Sequence, residues 1–301
     1  MRAIVLVAAH LRLSAALTTG PVGVNAALLS LPIGAEVEGF RSTHAFTAER
    51  ISARPAVFVL RNFLLPEECE VLVAAALESG ELSPAETSGG TDARKRCDVC
   101  FLDGAAPVVG ALTREVAHLL LDADALTLPG TGSELLNVLR YEENGEFLPH
   151  YDATASPRVL TVLYYLNGNG ATWFPLAVED DSIDDSIDES AGGVNSRVTS
   201  RAAAMELAAA LEPHRDGCVF EAHSAGDALA FFNFDERGAA EARALHAGLP
   251  VAEGETKWVA SHFFQVPALV APRETRAMET RARRMKYVGE ETARRAAAAA
   301  A

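Results

Sequence analysis

The stretch Arg140-Tyr141-Glu142-Glu143-Asn144-Gly145-Glu146-Phe147-Leu148-Pro149-His150-Tyr151-Asp152 decides how the rest of the chain is read. It reads as two short strands joined by a Gly-containing turn, the second ending in His-x-Asp. In a strand, side chains at i and i+2 leave from the same face. The imidazole of His150 and the carboxylate of Asp152 therefore converge on one point. Such a pair supplies two of the three donors of the facial triad that holds non-haem Fe(II) with open positions. The remaining chain has to provide a third donor and an anchor for a co-substrate.

Four histidines are candidates for the third donor: His214, His223, His246 and His262. His262 lies five residues after Lys257, so on a regular strand it faces the opposite side. His214 and His223 flank a change of composition. His246 is best placed, because it precedes a strand carrying Lys257, a cation able to bind an acid.

Outward from this stretch the chain is a series of strands. Arg158 to Leu166 is almost wholly apolar or β-prone, as a central strand covered on both faces should be. Ala171 to Pro175, Ala228 to Phe234, Ala244 to Gly248 and Lys257 to Val266 follow. Before it, Ala56 to Leu60 is a short strand. Pro66-Glu67-Glu68 opens a helix whose apolar side is read as Val71, Leu72, Ala75 and Leu77. Cys97 to Leu102 reads as a strand, and Val108 to Leu121 as a second helix with Leu112, Val116, Leu119 and Leu120 inward. Strands after a helical section predict a mainly β, α+β fold: an antiparallel sandwich or jelly roll with the N-terminal helices packed outside.

The flanks carry less. Residues 1–54 read as leader and linker, with order beginning at Ala56. Met1 to Ala9 resembles a signal-peptide start, interrupted by His10 and Arg12, which leaves the endoplasmic reticulum/secretory pathway and the cytoplasm both open. An acidic insertion spans 178–217; its run Glu179 to Glu189 reads as solvated, and Ser200 to Leu211 as a short Ala-rich helix. Residues 267–301 form a basic, helix-prone tail that either docks on the acidic body or stays in water. The 301 residues carry a formal net charge of -15, which disfavours nucleic acid and makes a basic or Pro-rich peptide the more natural partner. No segment is long enough to be read as a transmembrane span. Cys97-Asp98-Val99-Cys100 is a lone CxxC, open to a structural role, a disulfide or a metal.

The order of the motifs resembles the prolyl 4-hydroxylase group of Fe(II)/2-oxoglutarate dioxygenases over about residues 55–266. His150-x-Asp152, His246 and Lys257-Trp258 carry the resemblance. It extends to Phe58 to Leu64 with Glu67-Glu68-Cys69, and to Leu139-Arg140-Tyr141 with Pro149 to Asp152. Arg158-x-x-Thr161-Val162-Leu163-x-Tyr165-Leu166, Gly170-Ala171-Thr172-x-Phe174-Pro175, Gly226-Asp227-Ala228-Leu229 and His246-Ala247-x-x-Pro250-Val251 complete the set. The resemblance implies a double-stranded β-helix core. It implies that His150, Asp152 and His246 bind Fe(II) and are the catalytic centre, and that Lys257 pairs with the distal carboxylate of 2-oxoglutarate. It also places Tyr141 and Thr172 against that co-substrate. It further implies O2 as oxidant, ascorbate as re-reductant, and a Pro-containing peptide hydroxylated as 2-oxoglutarate is decarboxylated to succinate. The same chemistry on another residue or a small molecule is the alternative; a non-catalytic binding module would have lost a ligand. Four features depart from the family pattern: Phe263 where it usually has Trp, one extra residue between His246 and Lys257 near Glu253-Gly254-Glu255, Gly170-Ala171 in place of Gly-Gly, and the acidic insertion between Pro175 and Gly226.

Overall fold

The computed structural model describes residues 26–87, 90–91, 96–104, 106–121, 133–153, 158–178, 200–235 and 238–265. A single-turn helix α1 (Ala26–Leu29) is followed by strands β1 (Glu36–Phe40), β2 (Ala45–Ser52) and β3 (Val57–Arg61). Helix α2 (Pro66–Glu78) comes next, then three two-residue strands: β4 (Ser83–Pro84), β5 (Glu86–Thr87) and β6 (Gly90–Thr91). Strand β7 (Asp98–Leu102), helix α3 (Pro107–Leu121), and strands β8 (Leu136–Tyr141), β9 (Phe147–His150), β10 (Arg158–Tyr165) and β11 (Ala171–Phe174) follow. The chain continues through helix α4 (Arg201–Ala208), β12 (Cys218–Glu221), β13 (Ala228–Phe232), a 3-10 turn (Ala242–Ala244), β14 (His246–Gly248) and β15 (Lys257–Gln265).

The strands form two principal antiparallel sheets. The major one has the order β1-β2-β3-β13-β10-β15-β8-β7-β4, and the minor one β12-β11-β14-β9. This is the mainly β jelly roll with outer helices that the strand series predicts. β13 shows why its sequence is apolar at every position. Ala228, Ala230 and Phe232 face the helices, whereas Leu229 and Phe231 face the minor sheet. Each large apolar side chain fully buried in this way contributes about 1.5–3 kcal/mol, and both faces of the strand contribute.

Two expectations need correction, and two open points are settled. The two short strands joined by the turn at Gly145 are present, and they fall in different layers: β8 lies in the major sheet and β9 in the minor one. The turn is the crossing between layers. Asn144 has a φ of 61°, and a Cβ on Gly145 would stand 2.7 Å from the Glu142 carbonyl. Order also begins earlier than Ala56. β1 and β2 extend the major sheet beyond β3. Arg41, in the turn between them, reaches Glu68 on α2 and Glu115 on α3 and donates to the Phe63 carbonyl. On α2 the buried face is Cys69, Leu72 and Ala76; of the expected side Leu72 is buried and Ala75 packs against the core, while Val71 and Leu77 are exposed. Of the roles left open for the CxxC, the disulfide is not formed: Cys97 immediately precedes β7, Cys100 lies within it, and both are free thiols.

The helix read over Ser200 to Leu211 is α4, capped by the Ser200 side chain. The acidic run Glu179 to Glu189, the leader 1–25 and the tail from 266 on lie outside the described residues.

Candidate metal centre

His150 closes β9, Asp152 stands two residues beyond it, and His246 opens β14 directly opposite His150 in register. The minor sheet thus pairs the two histidines across neighbouring strands. The Nε2 atoms of His150 and His246 stand 3.7 and 3.5 Å from the two carboxylate oxygens of Asp152. One donor atom from each of the three residues falls within 4.8 Å of the others.

The ring orientations fit a metal. His150 Nδ1 lies 2.9 Å from the Leu148 carbonyl, and His246 Nδ1 lies 3.0 Å from the Ala244 carbonyl. A carbonyl only accepts, so each Nδ1 carries the proton and each Nε2 presents a lone pair inward, as in ligating histidines. Phe147 stacks on His150, and Phe174 and Phe231 pack against His246. Burial opposes ionisation of Asp152. His246, His150, Arg158 and the Thr161 hydrogen bond outweigh it and hold the carboxyl below the usual range. Two imidazoles and one carboxylate leave positions open on Fe(II).

Lys257 opens β15 and pairs in register with Tyr141. Its side chain is 3% exposed. Nζ donates to the Ala171 carbonyl at 3.2 Å and lies 5.2 and 5.4 Å from the Tyr141 and Tyr165 ring centres. No carboxylate among the described residues pairs with it, and burial pulls its pKa down to about 8, opposed in part by Cys97. A buried ammonium without an acid is costly, and the carboxylate of a bound dicarboxylic acid offsets that cost. Glycines make the room. Gly170 has a φ of 99°, and a Cβ there would stand 2.4 Å from Lys257 Cδ. A Cβ on Gly248, on the His246 strand, would lie 3.7 Å from Nζ. Thr172 shares a 2.6 Å hydrogen bond with the Tyr165 hydroxyl.

All the site residues read from sequence are thus drawn into two adjoining groups. The other histidines are elsewhere. His214 and His223 are on the exterior. His262 is buried on the helix side, between Tyr164 and Thr113. Sequence reasoning missed two supports. Thr161 donates to Asp152 at 2.8 Å, and Asn233 donates to Thr161 at 2.9 Å. A polar residue amid the apolar run of β10 was the available signal.

The 2OG-Fe(II) oxygenase superfamily matches residues 136–265, the span that holds every one of these side chains. The chain is a prolyl 4-hydroxylase-like 2-oxoglutarate–Fe(II) oxygenase. Among similar proteins, Prolyl 4-hydroxylase 1 of Arabidopsis thaliana is 28% identical over 238 residues, covering 73% of this chain and 72% of the relative. Prolyl 4-hydroxylase 5 of the same plant is 29% identical over 238 residues, covering 72% of each. A viral collagen prolyl hydroxylase from Paramecium Bursaria Chlorella virus-1 is 20% identical, with 70% of this chain and 96% of that one covered at a TM-score of 0.45. Two departures of this oxygenase from the family pattern have structural outcomes. Phe263 carries the Arg158 guanidinium 3.7 Å above its ring. Where the sequence places the extra residue before Lys257, the chain turns at Gly254, whose N–H donates to Glu143.

Proposed function

We propose that this oxygenase hydroxylates peptidyl proline, with His150, Asp152 and His246 holding Fe(II) and Lys257, Tyr141 and Thr172 receiving 2-oxoglutarate. The observation that carries the metal assignment is the convergence of two inward Nε2 atoms on the Asp152 carboxylate. The likeness to prolyl 4-hydroxylases over nearly three quarters of both chains supports the substrate. When bound, Fe(II) couples the oxidative decarboxylation of 2-oxoglutarate by O2 to hydroxylation of a C–H bond, and ascorbate restores the ferrous state.

The chain's own residues bind, orient and exclude water. Lys257 supplies the charge that a carboxylate meets in a site closed to solvent, where such a contact is strong. The Tyr165–Thr172 hydroxyl pair offers a polar edge beside it. Phe147, Phe174 and Phe231 wall the imidazoles with apolar surface.

A library of Pro-containing peptides, incubated with Fe(II), 2-oxoglutarate and ascorbate and read by mass spectrometry, tests the substrate. A gain of one oxygen at proline supports the proposal, and a library left unmodified while 2-oxoglutarate is consumed sinks it. Phe263 in place of the family's usual Trp, with the acidic insertion, leaves room for a second reading: the same chemistry on another residue or a small molecule, shown by oxygen gained elsewhere.

A further inference from the structure

The connection between β11 and β12 is long, and its C-terminal part returns to the metal-bearing segments as α4. Ala204 and Ala208 of that helix are buried against Leu176 and Leu245, with Tyr151 packed at the edge. Two contacts from Arg201, in the first turn of α4, bracket Asp152. Its guanidinium lies 4.5 Å over the Tyr151 ring, and Nη1 donates to the Ala153 carbonyl at 2.6 Å. Tyr151 precedes the ligand and Ala153 follows it.

Tyr151 also reaches the other metal-bearing segment. Its hydroxyl donates to the Ala242 carbonyl at 2.7 Å. Ala242 begins the 3-10 turn whose last residue, Ala244, accepts from His246 Nδ1. One side chain between two ligands therefore ties their segment to the turn that orients the third. Burial lowers the Arg201 pKa, so the guanidinium bears a desolvation cost while bonding to a neutral carbonyl and a ring.

We infer that Arg201 and Tyr151 are positioning residues for the iron centre: the helix returned by the insertion holds the Asp152 and His246 segments at the spacing that the metal needs. The inference rests on the metal assignment and is independent of the substrate. Partners that orient ligands in this way govern metal affinity.

Anaerobic Fe(II) titration of the full chain, followed by calorimetry without peptide, is the test. Arg201→Ala and Tyr151→Phe are each expected to weaken Fe(II) binding about 10-fold. The double variant is expected to be no weaker than the worse single one, because both act on one strut. Arg201→Lys should recover most of the affinity, since an ammonium can also meet the Ala153 carbonyl beneath the ring. Affinities of the Ala and Phe variants within about twofold of the parent would overturn the inference, as would a Lys variant as defective as the Ala variant. If Arg201→Ala does not fold, Tyr151→Phe, which removes one hydroxyl, decides alone. Failure of the proline assignment leaves this titration unchanged.

Discussion

Thr161 donates its hydroxyl proton to Asp152 from within the central strand, at 2.8 Å and with both residues buried. The hydroxyl is itself held by Asn233 at 2.9 Å. Thr161→Val preserves the shape and leaves a buried carboxylate oxygen and an amide without this partner. The expected cost is about 1–3 kcal/mol of stability, seen as a lower urea midpoint for the metal-free protein. Fe(II) affinity should fall about 10–100-fold. Thr161→Ser should retain most of both.

Lys257 sets a pH dependence. Its pKa in the folded protein is about 8, below the ordinary 10.5. Below pH 8 the ammonium is present and a carboxylate binds. Above it the lysine is neutral, and affinity for 2-oxoglutarate should weaken with rising pH. The stability sign is the reverse for the ligand-free protein. Between 8 and 10.5 the unfolded chain holds a proton that the folded chain has lost, so this group's destabilising contribution, complete below pH 8, fades as pH rises through that window. Equilibrium binding of 2-oxoglutarate from pH 7 upward checks the first statement, and Lys257→Ala should flatten the profile while raising the 2-oxoglutarate requirement.

Gly170→Ala should act through Lys257. The new Cβ would stand 2.4 Å from Cδ at a backbone φ of 99°, and the conformation itself costs about 1–2 kcal/mol for a side-chain-bearing residue. The lysine stem has to move away. The KM for 2-oxoglutarate is expected to rise about 10- to 100-fold, the loss expected for a charged contact worth about 1.5–3 kcal/mol, while Fe(II) affinity stays near that of the parent.

His262 should matter for stability and not for metal. It is buried beside Tyr164 and Thr113, and burial pulls its pKa down to about 3. Between pH 6.5 and 3 the unfolded chain takes up a proton that the folded chain refuses. Its contribution to stability is therefore lost on acidification through that window. His262→Phe should lessen the loss of stability between pH 7 and 5, measured by urea unfolding against the parent, and leave Fe(II) affinity unchanged.

The legibility of the sequence followed the physics of each segment. β10 and β13 were plain, because a strand covered on both faces must be apolar throughout. The His150–Asp152–His246 set was plain because the residue types state the chemistry. β1 and β2 were missed. They close one end of the major sheet, where Phe40 stays exposed; the buried positions of β2 alternate but are Phe46, Ala48, Arg50 and Ser52, half of them polar, and their attachment runs through Arg41 to acids on distant helices. The strand–turn–strand at Gly145 was legible, but a turn signal does not say which sheet receives the next strand, so the crossing between layers was not. Arg201 could not be found at all: its partners are a carbonyl and a ring brought to it by tertiary packing.

The central claim is that oxidation at this centre is coupled to proline in a peptide. The direct measurement counts succinate formed and oxygen gained by a Pro-containing peptide in the same reaction, for the parent and for Asp152→Ala and His246→Ala. The account predicts equal amounts of both products with the parent and neither product with the two variants. Succinate formed without peptide oxygenation, or turnover surviving in either variant, would contradict it.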